Sequence, residues 1–343
     1  MYHGLIIGFG SIGNYHCTLA TGRYPQIAIV DSKSDAVLQA KSDYPEAQVA
    51  TSLDALHETD WDWSSTVATI ATWGPSHSKV ITDLIGLGVT KILCEKPFVH
   101  SVAEGARILN LAKQNGVTLG VHHHRRYSGL AGALASLSKE HNLGEPVSVF
   151  VQGGAAGLVT NGIHHVDWAS EVFGGWPISV TSTASSSSIN PRSPDLEFYD
   201  GTAIWQYADS QELTISYTNM SSVGQSVRVF YRDGVAELDR YDRLTLLGRD
   251  PEEITRFPAV TRTGEASEVL FEGAPPGFLD VTEATAKLLD EIESEDVQTF
   301  PSEDALTVVG ACIGALASGR DGVKVELPLM PNSQLGSEEW QIS

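Results

Sequence analysis

Leu5-Ile6-Ile7-Gly8-Phe9-Gly10-Ser11-Ile12-Gly13 is the stretch that decides the fold. A short apolar, β-branched run ends in glycines spaced G-x-G-x-x-G, and a helical pattern follows. Gly8 suits a tight turn out of a strand. Gly10 lets a pyrophosphate approach the backbone, and Gly13 lets the helix pack closely on the strand. The helix N-terminus attracts phosphate. Phe9, Ser11 and Ile12 complete the loop. A second apolar run, QIAIVD (26–31), ends at Asp31, 18 residues after Gly13. That is close to the spacing of about 20 residues at which a dinucleotide fold places an acid against the adenosine ribose.

Working outward, the apolar runs 65–72, 90–95 and 117–123 read as further buried strands. Helical patterns over 76–88 and 101–116 lie between them. Gly88 and Gly116 stand where helix C-caps are expected. This alternation implies a parallel sheet with right-handed crossovers. After a helix near 128–140 the pattern changes. VSVFVQGG, ISVTSTASS, GTAIWQYAD, ELTISYTN, SVRVFYRD, GVAELDRYD and RLTLLG follow in close succession, with period-two alternation and tight turns such as Asp233-Gly234. One helix, GIHHVDWASEVFGG, separates the first two, and another is expected over 302–319 before a last strand in VKVELP. The serine-rich segment 185–195 reads as a loop. A chain of 343 residues exceeds one ordinary core. The expectation is an α/β protein: a Rossmann, doubly wound parallel sheet in residues 1–125, then an α/β domain with a large, mostly antiparallel sheet in 126–343.

Asp31 accepts hydrogen bonds from ribose hydroxyls and repels a 2′-phosphate, so it favours NAD; its neighbour Ser32 is a further candidate cofactor contact. Lys33 is the residue that leaves room for NADP. The formal net charge of −21 repels phosphate backbones and anionic lipid, so neither nucleic acid nor membrane is an expected partner. No apolar run is long enough to cross a bilayer, and no basic region precedes the first apolar stretch. Cys17, Cys94 and Cys312 are widely spaced and form no C-x-x-C pair, which suits a reducing cytoplasm.

Cys94-Glu95-Lys96-Pro97 falls at the C-terminal end of an expected strand, where open α/β sheets place their ligands. A lysine desolvated there can relay a proton or bond a reacting hydroxyl. The same residues read equally well as a surface lysine in a turn. His164 and Asp167 stand three apart on an expected helix and share a face. A histidine there suits proton exchange with a hydroxyl, or is a buried histidine capped by an acid. His122, His123 and His124 invite a metal reading. Alternation along a strand lets only His122 and His124 share a ligand, and no acid or cysteine stands at useful local spacing. No metal is expected.

GFGSIG with His16 three residues on, ATWGPSH (71–77), EKP (95–97), GVHHHRRYSG (120–129) and NGIHHVD (161–167), in this order, resemble the Gfo/Idh/MocA oxidoreductase family. The resemblance spans both expected domains. It implies a C-terminal sheet whose open face joins subunits, hence a homodimer or homotetramer. It also implies oxidation or reduction of a secondary alcohol on a sugar, cyclitol or nucleotide sugar. Lys96 matches the family lysine that contacts nicotinamide ribose and substrate, and Glu95 matches its neighbouring acid. The Lys96–Pro97 bond is often cis in relatives.

Ala71, Thr72 and His77 match an A-T-P-N-x-x-H pattern in which Trp73 and Gly74 replace proline and asparagine. Trp73 is then expected on the nicotinamide side of the cleft. His124 and Arg126 fall in a segment near nicotinamide and substrate. In the family's D-x-G-x-H-x-x-D pattern the histidine and first aspartate join the lysine in catalysis. His164 matches that histidine and Asp167 the last aspartate. Thr160 replaces the first, so a three-member relay is broken or rebuilt, and Asn161 becomes a candidate substrate contact. The resemblance also admits an NAD-retaining glycosidase or lyase working by transient oxidation, and a non-catalytic NAD-linked regulator.

Overall fold

The computed structural model describes residues 1–187, 198–256, 264–294 and 298–342. Most of the serine-rich segment lies outside the described residues. The N-terminal part runs β1 (His3–Ile7), α1 (Ser11–Arg23), β2 (Ile27–Val30), α2 (Ser34–Asp43), β3 (Gln48–Ala50), α3 (Leu53–His57), β4 (Thr66–Ile70), α4 (His77–Gly86), β5 (Lys91–Cys94), α5 (Val102–Gln114) and β6 (Thr118–Val121). Its six strands are parallel in the order β3-β2-β1-β4-β5-β6. Strand order reverses between β1 and β4, and the crevice beyond their carboxyl ends is where such sheets bind ligands. β2, β4 and β5 are buried at every position, as a parallel sheet covered on both faces requires. Leu5 and Ile7 enter the main core, while Ile6 faces a smaller cluster with Cys17, Ala20 and Ile29.

The first strand ends at Ile7, two residues before the end of its apolar run. Gly8 at φ +94° leaves extended geometry there and starts the loop. Gly88 and Gly116 are left-handed just past α4 and α5, as their positions implied. β3 is absent from the apolar runs named above. It is three residues long and none of them is fully buried, so it carries no hydrophobic signal.

The chain continues with α6 (His124–Tyr127), α7 (Leu130–Glu140), β7 (Pro146–Gly153), α8 (Gly162–Phe173), β8 (Ser179–Ser182), β9 (Ser185–Ser186), β10 (Tyr199–Gln206), β11 (Glu212–Tyr217), β12 (Ser226–Tyr231), β13 (Gly234–Leu238), β14 (Leu244–Arg249), α9 (Pro251–Arg256), β15 (Ala266–Gly273), α10 (Val281–Ser294), α11 (Ser302–Asp321), β16 (Val325–Glu326) and α12 (Gln334–Ser337). The second sheet has the order β15-β14-β13-β12-β7-β11-β10-β8-β16, with β9 pairing β10. It is antiparallel except where β11 lies parallel to β7. α8 and α11 cover one face, and Trp205 on β10 donates its indole N–H to Ala311 O of α11. On the other face Val147, Phe150 and Phe230 stay exposed, with the two phenylalanine rings 5.7 Å apart.

α10, named in no sequence pattern above, buries Ala284, Leu288 and Ile292 against β5 and β6 of the first sheet. A Cβ on Gly120 of β6 would stand 2.7 Å from Ile292 Cδ1. Its acids also hold α1: Arg23 pairs with Asp290 and Glu293, and Tyr24 donates to Glu293. Among the described residues no helix is long and apolar enough to cross a membrane.

Candidate active site

The glycine loop between β1 and α1 fits a dinucleotide by its own geometry. A Cβ on Gly13 would stand 1.8 Å from Gly8 O, so α1 sits flush on the loop and only glycine permits it. Gly8 is packed against Ala71 and Thr72 of the turn after β4. Gly10 has nothing within 4 Å of where a Cβ would be, so the outer face of the loop is open. Ser11 and Ile12 are exposed at the start of α1, while Phe9 turns its ring inward against Tyr44. Asp31 directly follows β2, beside this loop. Its Oδ2 accepts the Phe9 N–H at 2.7 Å, and its Oδ1 accepts the Lys33 N–H at 2.8 Å. Ser32 and Lys33 are exposed next to it.

Two turns form the adjoining wall. After β4, Trp73 is 51% exposed. His77 is buried, with Nδ1 3.0 Å from Pro97 O and Nε2 3.1 Å from Thr72 O. It therefore ties one turn to the other and offers the cleft no free nitrogen. After β5, the Lys96–Pro97 bond is cis. Lys96 is half-buried, and its Nζ donates to Thr160 O at 2.7 Å, across to the segment before α8. Glu95 beside it is buried. Its Oε1 lies 2.8 Å from His16 Nε2 and 2.7 Å from His122 Nδ1, and its Oε2 accepts the Lys96 N–H.

The third wall is the end of β6 and the start of α8. His124 and His164 meet with ring centroids 4.9 Å apart, and His122 and His124 with 5.6 Å. Lys96, His124 and His164 thus converge, although they are far apart in sequence. Several other expectations find different partners. His164 and Asp167 both lie on α8, and Asp167 is fully buried and bonds His123 Nδ1 at 3.2 Å and Arg126 Nε at 2.5 Å. The charge of Arg126 makes it the stronger partner. Arg126 also lies over the rings of Trp176 and Phe300, so it is committed to the protein interior. The Asn161 side-chain amide donates to Ala156 O. His165 points away from His164 to Gln225. Thr160 is buried and serves Lys96 through its main-chain carbonyl, which any residue type would supply.

Burial, and then the Lys96 charge, lower the His164 pKa well below its ordinary 6.5. Burial, reinforced by His122 and Arg125, lowers His124 to about 2. Both imidazoles are therefore neutral near pH 7 and offer lone pairs. Burial alone would raise the Glu95 carboxyl; the charge and hydrogen bonds of His122 and His16 outweigh it and hold Glu95 well below its usual range.

His16, Glu95 and His122 are also a group whose donor atoms all lie within 4.8 Å of one another. Sequence spacing missed it, because its members come from α1, β5 and β6. Their contacts of 2.7 and 2.8 Å are hydrogen-bond lengths. Ligands about 2.0 Å from a tetrahedral zinc stand about 3.3 Å apart.

Residues 3–123 match the model of an oxidoreductase family with an NAD-binding Rossmann fold, Gfo/Idh/MocA. An uncharacterized oxidoreductase of Schizosaccharomyces pombe is 28% identical over 179 residues, covering 47% of this chain and 46% of that protein. The chain thus spans about half the length of the curated relative it matches. The WlbA dehydrogenase from Bordetella pertussis, solved with NADH and UDP-GlcNAcA, superposes with a TM-score of 0.69 at 17% identity, over 96% of this chain and 98% of that one. The UDP-N-acetylglucosamine 3-dehydrogenase GnnA from Acidithiobacillus ferrooxidans gives 0.67 at 18% identity, over 93% and 98%. At these identities the likeness is one of fold. The glycine loop, Asp31 and the family match agree: residues 3–123 form an NAD-binding Rossmann domain similar to that of the Gfo/Idh/MocA oxidoreductases.

Proposed function

We propose that this chain is an NAD-dependent dehydrogenase acting on a secondary alcohol of a sugar, cyclitol or nucleotide sugar. The observation that carries the reading is the convergence of Lys96 with His164 and His124 in the cleft beside the glycine loop. NAD, when bound, supplies the hydride acceptor. Lys96, anchored on Thr160 O, presents an ammonium that holds and polarises the substrate oxygen. His164, kept neutral by burial and by that ammonium, takes the hydroxyl proton. The dehydrogenases of similar fold that act on UDP-sugars support the substrate class.

A screen of sugars, cyclitols and nucleotide sugars with NAD, read as NADH absorbance, tests this. NADH formation with a polyol is the expected result. Tightly co-purifying NAD with no net NADH would instead favour transient oxidation in a lyase or glycosidase. We place the chain in the cytoplasm as a homo-oligomer joined through the exposed face around Phe150 and Phe230, with domains meeting near residue 125.

Two further results are expected. His164 acts only when neutral, and its pKa is lowered from 6.5, so falling pH protonates it late. Alcohol oxidation should hold its rate from pH 7.5 down to 6.5 and lose it only below. An acid limb at or above 6.5 in the kcat profile would remove His164 as the base. Asp31 should set the cofactor preference. Asp31→Ser should narrow the NAD-to-NADP ratio of kcat/KM by about tenfold or more, the worth of one hydrogen bond to a charged group. An unchanged ratio would assign the preference elsewhere.

A further inference from the structure

Glu95 stands next to Lys96 but turns inward. Its carboxylate gathers His16 from α1, His122 from the end of β6 and the Lys96 amide. His122 carries the chain onward: its Nε2 lies 2.7 Å from Thr285 Oγ1 on α10. The Thr285 hydroxyl donates to Val281 O at 2.6 Å, and its oxygen is left to accept. Tyr15 from α1 also reaches Thr285, at 3.0 Å. His122 therefore bridges the Thr285 hydroxyl on one side and the Glu95 carboxylate on the other through its two ring nitrogens. The groups facing it are Glu95 from the turn after β5, His16 and Tyr15 from α1, His124 from α6 and Thr285 from α10.

We propose that Glu95 and His122 are positioning residues. Their buried hydrogen-bonded contact, braced by His16 and Thr285, fixes the main chain of Lys96 so that its ammonium is held at the cleft.

A lysine side chain is long and flexible, so its Nζ is placed only if its backbone is placed. Lys96 is pinned on both sides. Glu95 Oε2 accepts its amide N–H, and His77 contacts the Pro97 carbonyl just after it. Burying a carboxylate is costly unless it is paired and fully hydrogen-bonded, and three donors meet that condition here. The clamp also joins the helix that follows the glycine loop to the turn that carries Lys96. The proposal rests on the reading of Lys96 above as the residue that holds the reacting oxygen.

Spectroscopy on the whole chain, labelled with ¹⁵N at histidine and lysine, tests it without substrate. Lys96→Met assigns the Lys96 ammonium signal, and His122→Gln assigns the His122 ring. In the wild type at pH 7.5, the Lys96 ammonium should give a slowly exchanging signal. Glu95→Gln should shift the His122 ring signals and broaden the Lys96 signal away. Thr285→Val should weaken both effects in the same direction, and Thr285→Ser should restore them. Thr285 lies outside the cleft, so this pair serves if Glu95→Gln does not fold.

A Lys96 signal unmoved by Glu95→Gln would overturn the proposal, and so would one zinc per chain by elemental analysis. Failure of the dehydrogenase reading shows separately, as unchanged NADH formation by Lys96→Met.

Discussion

Lys96→Met should lower turnover about 10³-fold, within the range usual for removing a group that exchanges or polarises a proton, while leaving NAD affinity within a few-fold. Methionine keeps most of the lysine's length and removes the ammonium. The pyrophosphate cradle and Asp31 lie on other elements, so cofactor binding has no reason to fail. A loss confined to kcat marks an interaction made with the reacting oxygen and not with the ground-state cofactor. A second signature should accompany it. The Lys96 charge is one cause, after burial, of the lowered His164 pKa. Without the ammonium, the acid limb of the residual activity should move to higher pH. Steady-state NADH formation across pH, with NAD binding followed by tryptophan fluorescence, checks both. Wild-type turnover in the variant would take Lys96 out of the chemistry.

Gly13→Ala and Gly10→Ala should separate packing from ligand approach within one loop. At Gly13 the added methyl would stand 1.8 Å from Gly8 O and 2.8 Å from Gly8 C, and both are main-chain atoms that cannot swing aside. The start of α1 must shift. Overpacking of this kind costs about 1–3 kcal/mol, and the same shift misaligns the helix N-terminus. Gly13→Ala should therefore lower Tm by several degrees and weaken NAD binding at least about tenfold, one factor of ten being about 1.4 kcal/mol. At Gly10 the methyl meets nothing within 4 Å, and φ −87° with ψ −165° is ordinary for alanine. Gly10→Ala should leave Tm unchanged yet weaken NAD binding, because the methyl stands where the pyrophosphate approaches. Calorimetry and NAD titration on the two variants read the difference. Unimpaired NAD binding by Gly10→Ala would place the cofactor off this loop.

The fold was legible wherever periodicity or glycine chemistry was strong. Buried parallel strands advertise themselves as continuous apolar runs, and each glycine at a turn or cap marks a backbone need that other residues meet poorly. β3 and α10 were not legible in this way. β3 is short and lies at the sheet edge. α10 has a buried face, but its partner strands lie far away in sequence. The site divided along the same line. Asp31 and Lys96 were visible because local motifs place them at the carboxyl ends of strands. The partners of Glu95, Asp167 and Arg126 were not, because each is met across the fold.

By itself the sequence determined that residues 5–13 make a dinucleotide loop, that a parallel sheet surrounds it and that a second, largely antiparallel sheet follows. These are short-range facts, set by side-chain size, branching and allowed backbone angles. Only the tertiary structure decided what the charged and imidazole groups do. It turned Glu95 inward onto two histidines, gave Asp167 to Arg126 and set Lys96 on the Thr160 carbonyl. The physical reason is that a buried polar group takes its state from the atoms around it, and in a folded chain those atoms come from distant parts of the sequence.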